Sequence, residues 1–111
     1  MEKPNSIAEV MQKLPEAFLA AKAGNAKAVV QFNLSGEGGG TYTVTIGEGK
    51  CQVAEGPATA PTTAIVNAAA ADYLAIARNE LNAVSAFMGG KLKIAGDMSL
   101  MMKFMDWFAR P

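Results

Sequence analysis

The sequence of 111 residues contains no histidine and a single cysteine, Cys51. Without an imidazole, it excludes Ser-His-Asp and Cys-His catalytic sites and every metal site built on histidine. One cysteine cannot form an internal disulfide, which fits a reducing compartment. Because Cys51 lies in a segment that alternates like a strand, we interpret it as a small buried apolar residue and not as a nucleophile.

An excess of charge and long apolar runs are missing as well. Ten Lys and Arg balance ten Asp and Glu, so no basic field attracts nucleic acid and no polybasic segment holds an anionic membrane. No apolar run reaches the roughly 20 residues that span a bilayer. The first residues lack the pattern of a signal peptide. We therefore expect a cytoplasmic protein with no nucleic-acid partner and no stable membrane insertion.

Groups that could carry a reaction are not clustered. Asp97 and Asp106 lie more than two helical turns apart along the chain, and neither has an obvious partner acid. The glycine-rich run at residues 36–40 opens onto a predicted strand, whereas phosphate-binding loops open onto a helix. We interpret the run as a hairpin turn. The sequence predicts a protein that is not an enzyme and has no metal site and no cofactor.

Local patterns predict one α+β domain over residues 1–111, of which 50% are hydrophobic. Alternation predicts strands at 27–34, 41–46, 50–54, 62–66 and 92–94. A first helix begins after Ser6 and is bent or restarted at Pro15. Further helices are expected at 69–78, at 83–88 behind the cap Asn82, and at 98–107 behind the cap Asp97. The predicted architecture is a five-stranded, mainly antiparallel sheet covered on one face by helices.

Methionine and phenylalanine concentrate in the last third of the chain. On a helix that begins at Met98, the residues Ser99, Lys103, Asp106 and Arg110 form one narrow polar stripe, and nearly everything else is apolar. This apolar arc is too wide for one neighbouring layer. A second layer of protein, a partner, a membrane or a bound apolar molecule must therefore contact it. Methionine suits surfaces that adapt to several apolar shapes, although composition alone favours a filled core over a cavity.

A specific resemblance begins at residues 86–97, whose sequence is Ala-Phe-Met-Gly-Gly-Lys-Leu-Lys-Ile-Ala-Gly-Asp. With Leu100 and Lys103 behind it, this segment resembles the sterol carrier protein family, also called the SCP-type sterol-binding domain. The likeness extends to Leu14-Pro15, to the strand Val29-Val30-Gln31-Phe32 and to the glycine hairpin at 47–49. It implies a hydrophobic tunnel between sheet and helices, and binding of sterols, fatty acids, fatty acyl-CoA or phospholipids without chemistry.

Two departures from the family pattern concern the polar end of a ligand. Ala83-Val84 stands where members often have Pro-Gln, and Gly89 stands where they often have Gln. An amide that could meet a polar head is therefore missing. The targeting tail of eukaryotic members is also absent. The resemblance thus implies a stand-alone, prokaryotic-like member whose ligand is a plain acyl chain.

We therefore predict a non-enzymatic carrier of lipid or fatty acyl ligands, monomeric or, as an alternative, dimeric. Burial of apolar surface would supply the affinity. The rival hypothesis is an interaction or dimerisation module that uses the apolar C-terminal helix. We expect this helix to gate the tunnel, because no downstream element pins it. The predicted tunnel wall consists of Phe32, Tyr42, Val44 and Ile46 from the sheet and of Val84, Phe87, Met88, Leu100, Met101, Phe104, Met105 and Phe108 from the helices.

Overall fold

In the computed structural model, residues 3–109 are described. Two helices come first, α1 (Ile7–Ala17) and α2 (Ala20–Ala23). Four strands follow, β1 (Ala28–Ser35), β2 (Gly40–Gly47), β3 (Lys50–Glu55) and β4 (Ala64–Ala69). The chain continues through α3 (Ala70–Ala77), α4 (Ala83–Met88), β5 (Leu92–Gly96) and α5 (Met98–Phe104), and a 3-10 helix covers Met105–Trp107.

The five strands form one sheet in the order β3-β2-β1-β4-β5. The pair of β1 and β4 is parallel and the other three pairs are antiparallel. This register aligns the inward side chains in rows, so that Val30 lies opposite both Val44 and Ala64. The helices pack on this apolar face, whereas threonine, glutamine and asparagine occupy much of the other. The predicted α+β class and the five-stranded, mainly antiparallel sheet are confirmed.

The fourth strand and the final helix have other bounds than the sequence predicts. The fourth strand begins at Ala64 and extends to Ala69, because its alanines continue the parallel pairing with β1 as far as Ser35. Alanine-rich sequence fits a helix or a strand, so local preference could not place this boundary. The final helix is α-helical only to Phe104 and then tightens into a 3-10 turn. Of the two alternatives for the N-terminal segment, the structure has two helices, with Pro15 inside α1 and the break after Ala17.

The end of the described chain is held by the segment that follows α1. The N–H of Leu19 donates to the carbonyl of Trp107 at 2.6 Å, and the N–H of Ala109 donates to the carbonyl of Ala17 at 2.9 Å. Between them Phe18 and Phe108 form a β-bridge, with ring centroids 5.6 Å apart. The C-terminal segment is therefore held by an upstream part of the chain, and its role as a gate remains a prediction.

Gly96, at the end of β5, lies very close to the backbone of Thr63. Its φ is +106°, and a Cβ there would lie 2.5 Å from the carbonyl oxygen of Thr63. Gly56 has the same φ of +106° with nothing within 4 Å. We expect Gly56→Ala to cost about 1–3 kcal/mol of backbone strain and Gly96→Ala to cost clearly more, since it adds the clash. Urea unfolding of both variants measures the difference, and equal losses would contradict the close approach.

Candidate functional site

An apolar cavity of about 300 Å³ lies between the β4-β5 side of the sheet and the helices α3, α4 and α5. Its floor is made by side chains from β1, β4 and β5, and its walls come from the helices. We call this space the apolar cavity. Its lining residues are Phe32, Val66, Tyr73, Ile76, Asn82, Ala83, Val84, Phe87, Leu92, Ile94, Met98, Met101, Met102, Met105 and Asp106.

Strand register builds the floor of the apolar cavity. Phe32 on β1 lies opposite Val66 on β4, and Val66 lies opposite Ile94 on β5. These three residues form one row across the sheet because paired residues point to the same face. Phe32 is buried against the ring of Tyr73 on α3, with centroids 5.2 Å apart.

Two helix caps and a glycine pair position α4 and α5, which form walls of the apolar cavity. The side-chain oxygen of Asn82 accepts from the N–H of Ser85 at 3.0 Å and starts α4. Gly90, at φ +80°, ends α4, and the N–H of Lys91 then donates to the carbonyl of Ala86 at 2.8 Å. The Asp97 carboxylate likewise accepts from the N–H of Leu100 at 3.0 Å and starts α5. The two short helices thereby flank β5 and leave the apolar cavity between them.

The apolar cavity is bordered by exposed apolar side chains. Val84 and Phe87 on α4 and Met102 on α5 line the cavity, yet each is exposed. Met88, on the last turn of α4, is exposed as well. Exposed large apolar groups are commonly found where a protein contacts a ligand or a partner. They indicate that the cavity communicates with solvent through an apolar opening.

Five of the twelve residues predicted for the tunnel wall line the apolar cavity: Phe32, Val84, Phe87, Met101 and Met105. Met88 and Leu100 belong to the same helices but are not among the lining residues. Phe104 packs with its ring 6.2 Å from that of Phe32 and 5.1 Å from that of Phe108. Ligand contact by each of the twelve residues remains a prediction.

The predicted wall residues of β2 lie elsewhere. Val44 and Ile46 are buried opposite Val53 and Cys51 of β3, on the half of the sheet against which α1 packs. Tyr42 lies on the same strand and is half-buried. None of the three lines the apolar cavity, because β1 separates β2 from the β4-β5 half.

Several lining residues were not predicted from the sequence: Val66, Tyr73, Ile76, Asn82, Ala83, Leu92, Ile94, Met98, Met102 and Asp106. Alternation along β4 and β5 does mark Val66, Leu92 and Ile94 as inward. It does not show that these strands lie beneath α4 and α5. Asp106 was assigned to a solvated stripe, and no local signal indicates that it borders a cavity.

Two buried side chains have raised pKa values. Burial raises the pKa of Cys51 to about 11, which keeps its thiol protonated at neutral pH. Burial also raises the pKa of the Tyr73 hydroxyl. Over residues 3–109, no group of three or more His, Cys, Asp or Glu side chains could hold a metal ion. In the same range, no helix is long and apolar enough to cross a membrane.

The model of the SCP-2 sterol transfer family matches residues 7–109. The chain belongs to this family. SCP-2 domains in general bind and transfer lipids and are not enzymes. The resemblance seen at residues 86–97 is thereby confirmed.

The curated relatives are longer proteins that match this chain over part of their length. Hydroxysteroid dehydrogenase-like protein 2 of Rattus norvegicus is 35% identical over 77 residues, which are 69% of this chain and 15% of the relative. The chain spans 15–18% of the length of the curated relatives it matches. The match therefore concerns one part of those proteins.

Solved SCP-2 structures share the fold. Sterol carrier protein domain 2 of Helicoverpa armigera has a TM-score of 0.71 at 24% identity, over 96% of this chain and 91% of its own. Palmitated SCP2L2 from Aedes aegypti has a TM-score of 0.73 at 22% identity, over 92% of this chain and 93% of its own. At these identities the likeness concerns the fold.

Proposed function

We propose that the chain binds the apolar part of a lipid in the apolar cavity and carries it without chemical change. The observation behind this proposal is a cavity of about 300 Å³ with mainly apolar walls, bordered by the exposed side chains of Val84, Phe87 and Met102. Membership of the SCP-2 family supports lipid as the ligand class. The palmitated state of the Aedes aegypti domain supports a single alkyl chain as a suitable guest.

Burial alone can supply useful affinity. Each methylene transferred from water gains about 0.8 kcal/mol, so ten of them gain about 8 kcal/mol, which corresponds to micromolar binding before ordering costs. The cavity volume lies at the lower end of the range for ligand sites and favours one alkyl chain over a bulky ring system. Met98, Met101, Met102 and Met105 supply flexible walls that can adapt to chains of different length.

A chain-length series tests the proposal. We expect the affinity for straight-chain alcohols to rise about fourfold per added methylene, which is about 0.8 kcal/mol, until the alkyl chain fills the cavity. Isothermal calorimetry on the series measures the increments. Native mass spectrometry of freshly purified protein should also detect a co-purified lipid. Affinity that does not change with chain length, or no binding by the folded protein, would contradict the proposal.

A role as an interaction or dimerisation module remains the second candidate, because Val84, Met88 and Met102 expose apolar surface. The surface differs from the one predicted. Met101, Phe104 and Trp107 of the C-terminal segment are buried within the chain itself, so this segment does not offer a wide apolar arc. Light scattering with and without lipid distinguishes the candidates, since a carrier should be monomeric in both states. A lipid-free dimer would favour the interaction module.

The cytoplasmic location remains a prediction.

A further inference from the structure

A second cavity of about 250 Å³ adjoins the apolar cavity. The two share Ile76, Asn82, Ala83 and Met105. The second cavity is otherwise lined by Asn79, Glu80 and Leu81, and we call it the polar pocket. A lipid whose tail fills the apolar cavity could therefore place its polar end at Asn82, where the two spaces meet.

The charged side chains that line these two spaces are both acidic. Asp106 lines the apolar cavity and Glu80 lines the polar pocket, and no lysine or arginine is among the lining residues within 3–109. Glu80 is paired with Arg78 at 3.0 Å and with Lys3 at 3.5 Å, so these cations largely offset its charge. Asp106 makes no ion pair within the described residues. Asp106 is exposed at the border of the apolar cavity, so its carboxylate is the charge that a ligand head at this border would meet.

Neutral hydrogen-bonding groups accompany this carboxylate. The oxygen of the Asn82 side chain is already used as the cap of α4, which leaves its NH₂ group to donate to a ligand. The Tyr73 side chain also lines the apolar cavity and is 8% exposed. A ligand hydroxyl can accept from the Asn82 amide and donate to Asp106. A ligand carboxylate can only accept, and Asp106 repels it.

We propose that this site selects lipids with an uncharged hydroxyl head over lipids with an anionic head, and that Asp106 makes the selection while Asn82 hydrogen-bonds the hydroxyl. The inference rests on the proposed function, because the tail must occupy the apolar cavity for the head to reach these groups. It ranks long-chain alcohols and monoacylglycerols above fatty acids and acyl-CoA with tails of the same length. Two lipids with tails of equal length should then differ in affinity only because their heads differ.

Dodecanol and dodecanoate provide the matched pair of probes. We expect the full chain to bind dodecanol at least about tenfold more tightly than dodecanoate by calorimetry at about pH 8, where carboxylates are ionised. Tenfold lies between the weak repulsion of two like charges about 4 Å apart in water and the stronger repulsion of the same charges at a partly desolvated site. Asp106→Asn should reduce the alcohol-to-acid ratio about tenfold by strengthening dodecanoate binding. Asp72→Asn removes the same charge from α3, outside both cavities, and should leave the ratio unchanged.

The possible results separate this inference from the proposed function. If dodecanoate binds as tightly as dodecanol and Asp106→Asn leaves the ratio unchanged, the selection is overturned while lipid binding stands. If Asp72→Asn shifts the ratio as much as Asp106→Asn does, overall charge and not the site selects, and the inference is again overturned. If neither probe binds to protein whose circular dichroism is native, the proposed function fails and the selection fails with it.

Discussion

Phe87→Asp is expected to lower the affinity for dodecanol by at least about thirtyfold while the protein stays folded. Phe87 lines the apolar cavity and is 38% exposed, so the substitution removes part of the wall without emptying the core. The new carboxylate would have to lose water where the alkyl chain packs, at a cost of about 2 kcal/mol or more. Calorimetry with dodecanol gives the affinity, and circular dichroism checks the fold.

Ser85→Asp is the matched control for this experiment. Ser85 lies on the same helix, is exposed and does not line the apolar cavity. It also lies in the first turn of α4, where a negative charge is well tolerated. This control should bind dodecanol within about twofold of the unmodified protein, since the new charge stays in water. If the folded Phe87→Asp protein binds as tightly as its control, α4 is not a wall of the lipid site.

Met101 shows why the same experiment cannot be made at every predicted wall residue. The sequence treats Phe87 and Met101 alike, as apolar residues near the family motif. In the structure Met101 lines the apolar cavity but is also buried in the hydrophobic core. An aspartate there would leave an unpaired buried charge and would unfold the protein before binding could be measured.

The features that could be predicted from the sequence are those with local causes. Ser6, Asn82 and Asp97 were expected as helix caps, and each accepts the expected backbone hydrogen bond. The strands follow two-residue alternation, and the glycine pair ends α4 at Met88. A cap or a turn involves residues a few positions apart, so the chain carries its signal within one short window.

The location of the site depends on contacts between distant segments. Alternation marks Val44 and Val66 equally as inward, but only Val66 lies under the helices that enclose the apolar cavity. The difference arises from the strand order, in which β4 and β5 add beside β1 while β2 and β3 lie on its other side under α1. No short window contains this information. For this reason the predicted wall extended over the whole sheet.

The wide apolar arc of the C-terminal segment is explained mainly by the chain's own packing. Phe18 and Leu19 hold the segment on one side, and the sheet residue Phe32 contacts Phe104 on another. The methionines Met98, Met102 and Met105 are directed to the apolar cavity instead. The Met and Phe set therefore divides into an aromatic core and an adaptable wall. Composition alone could not separate these two roles.

Phe104→Ala is expected to lower the free energy of unfolding by about 3–5 kcal/mol, the usual cost of truncating a buried phenylalanine. Phe104 is 3% exposed and packs its ring against those of Phe32, Trp107 and Phe108 at 5.1–6.2 Å between centroids. Removal of the ring leaves a void among three aromatic partners that hold the end of the described chain on the sheet. Because small domains have total stabilities of about 5–15 kcal/mol, urea unfolding should show a large shift of the midpoint.

Met102→Ala is the matched control, because Met102 lies on the same helix and is 64% exposed. Its truncation should cost about 1 kcal/mol or less, since little packing is lost. Together the two variants show whether the buried aromatic cluster, and not the exposed side chain of Met102, stabilises the fold. If Phe104→Ala cost no more than its control and instead weakened dodecanol binding, Phe104 would belong to the ligand wall. The wall predicted from the sequence would then describe this part of the molecule better than the division into core and cavity.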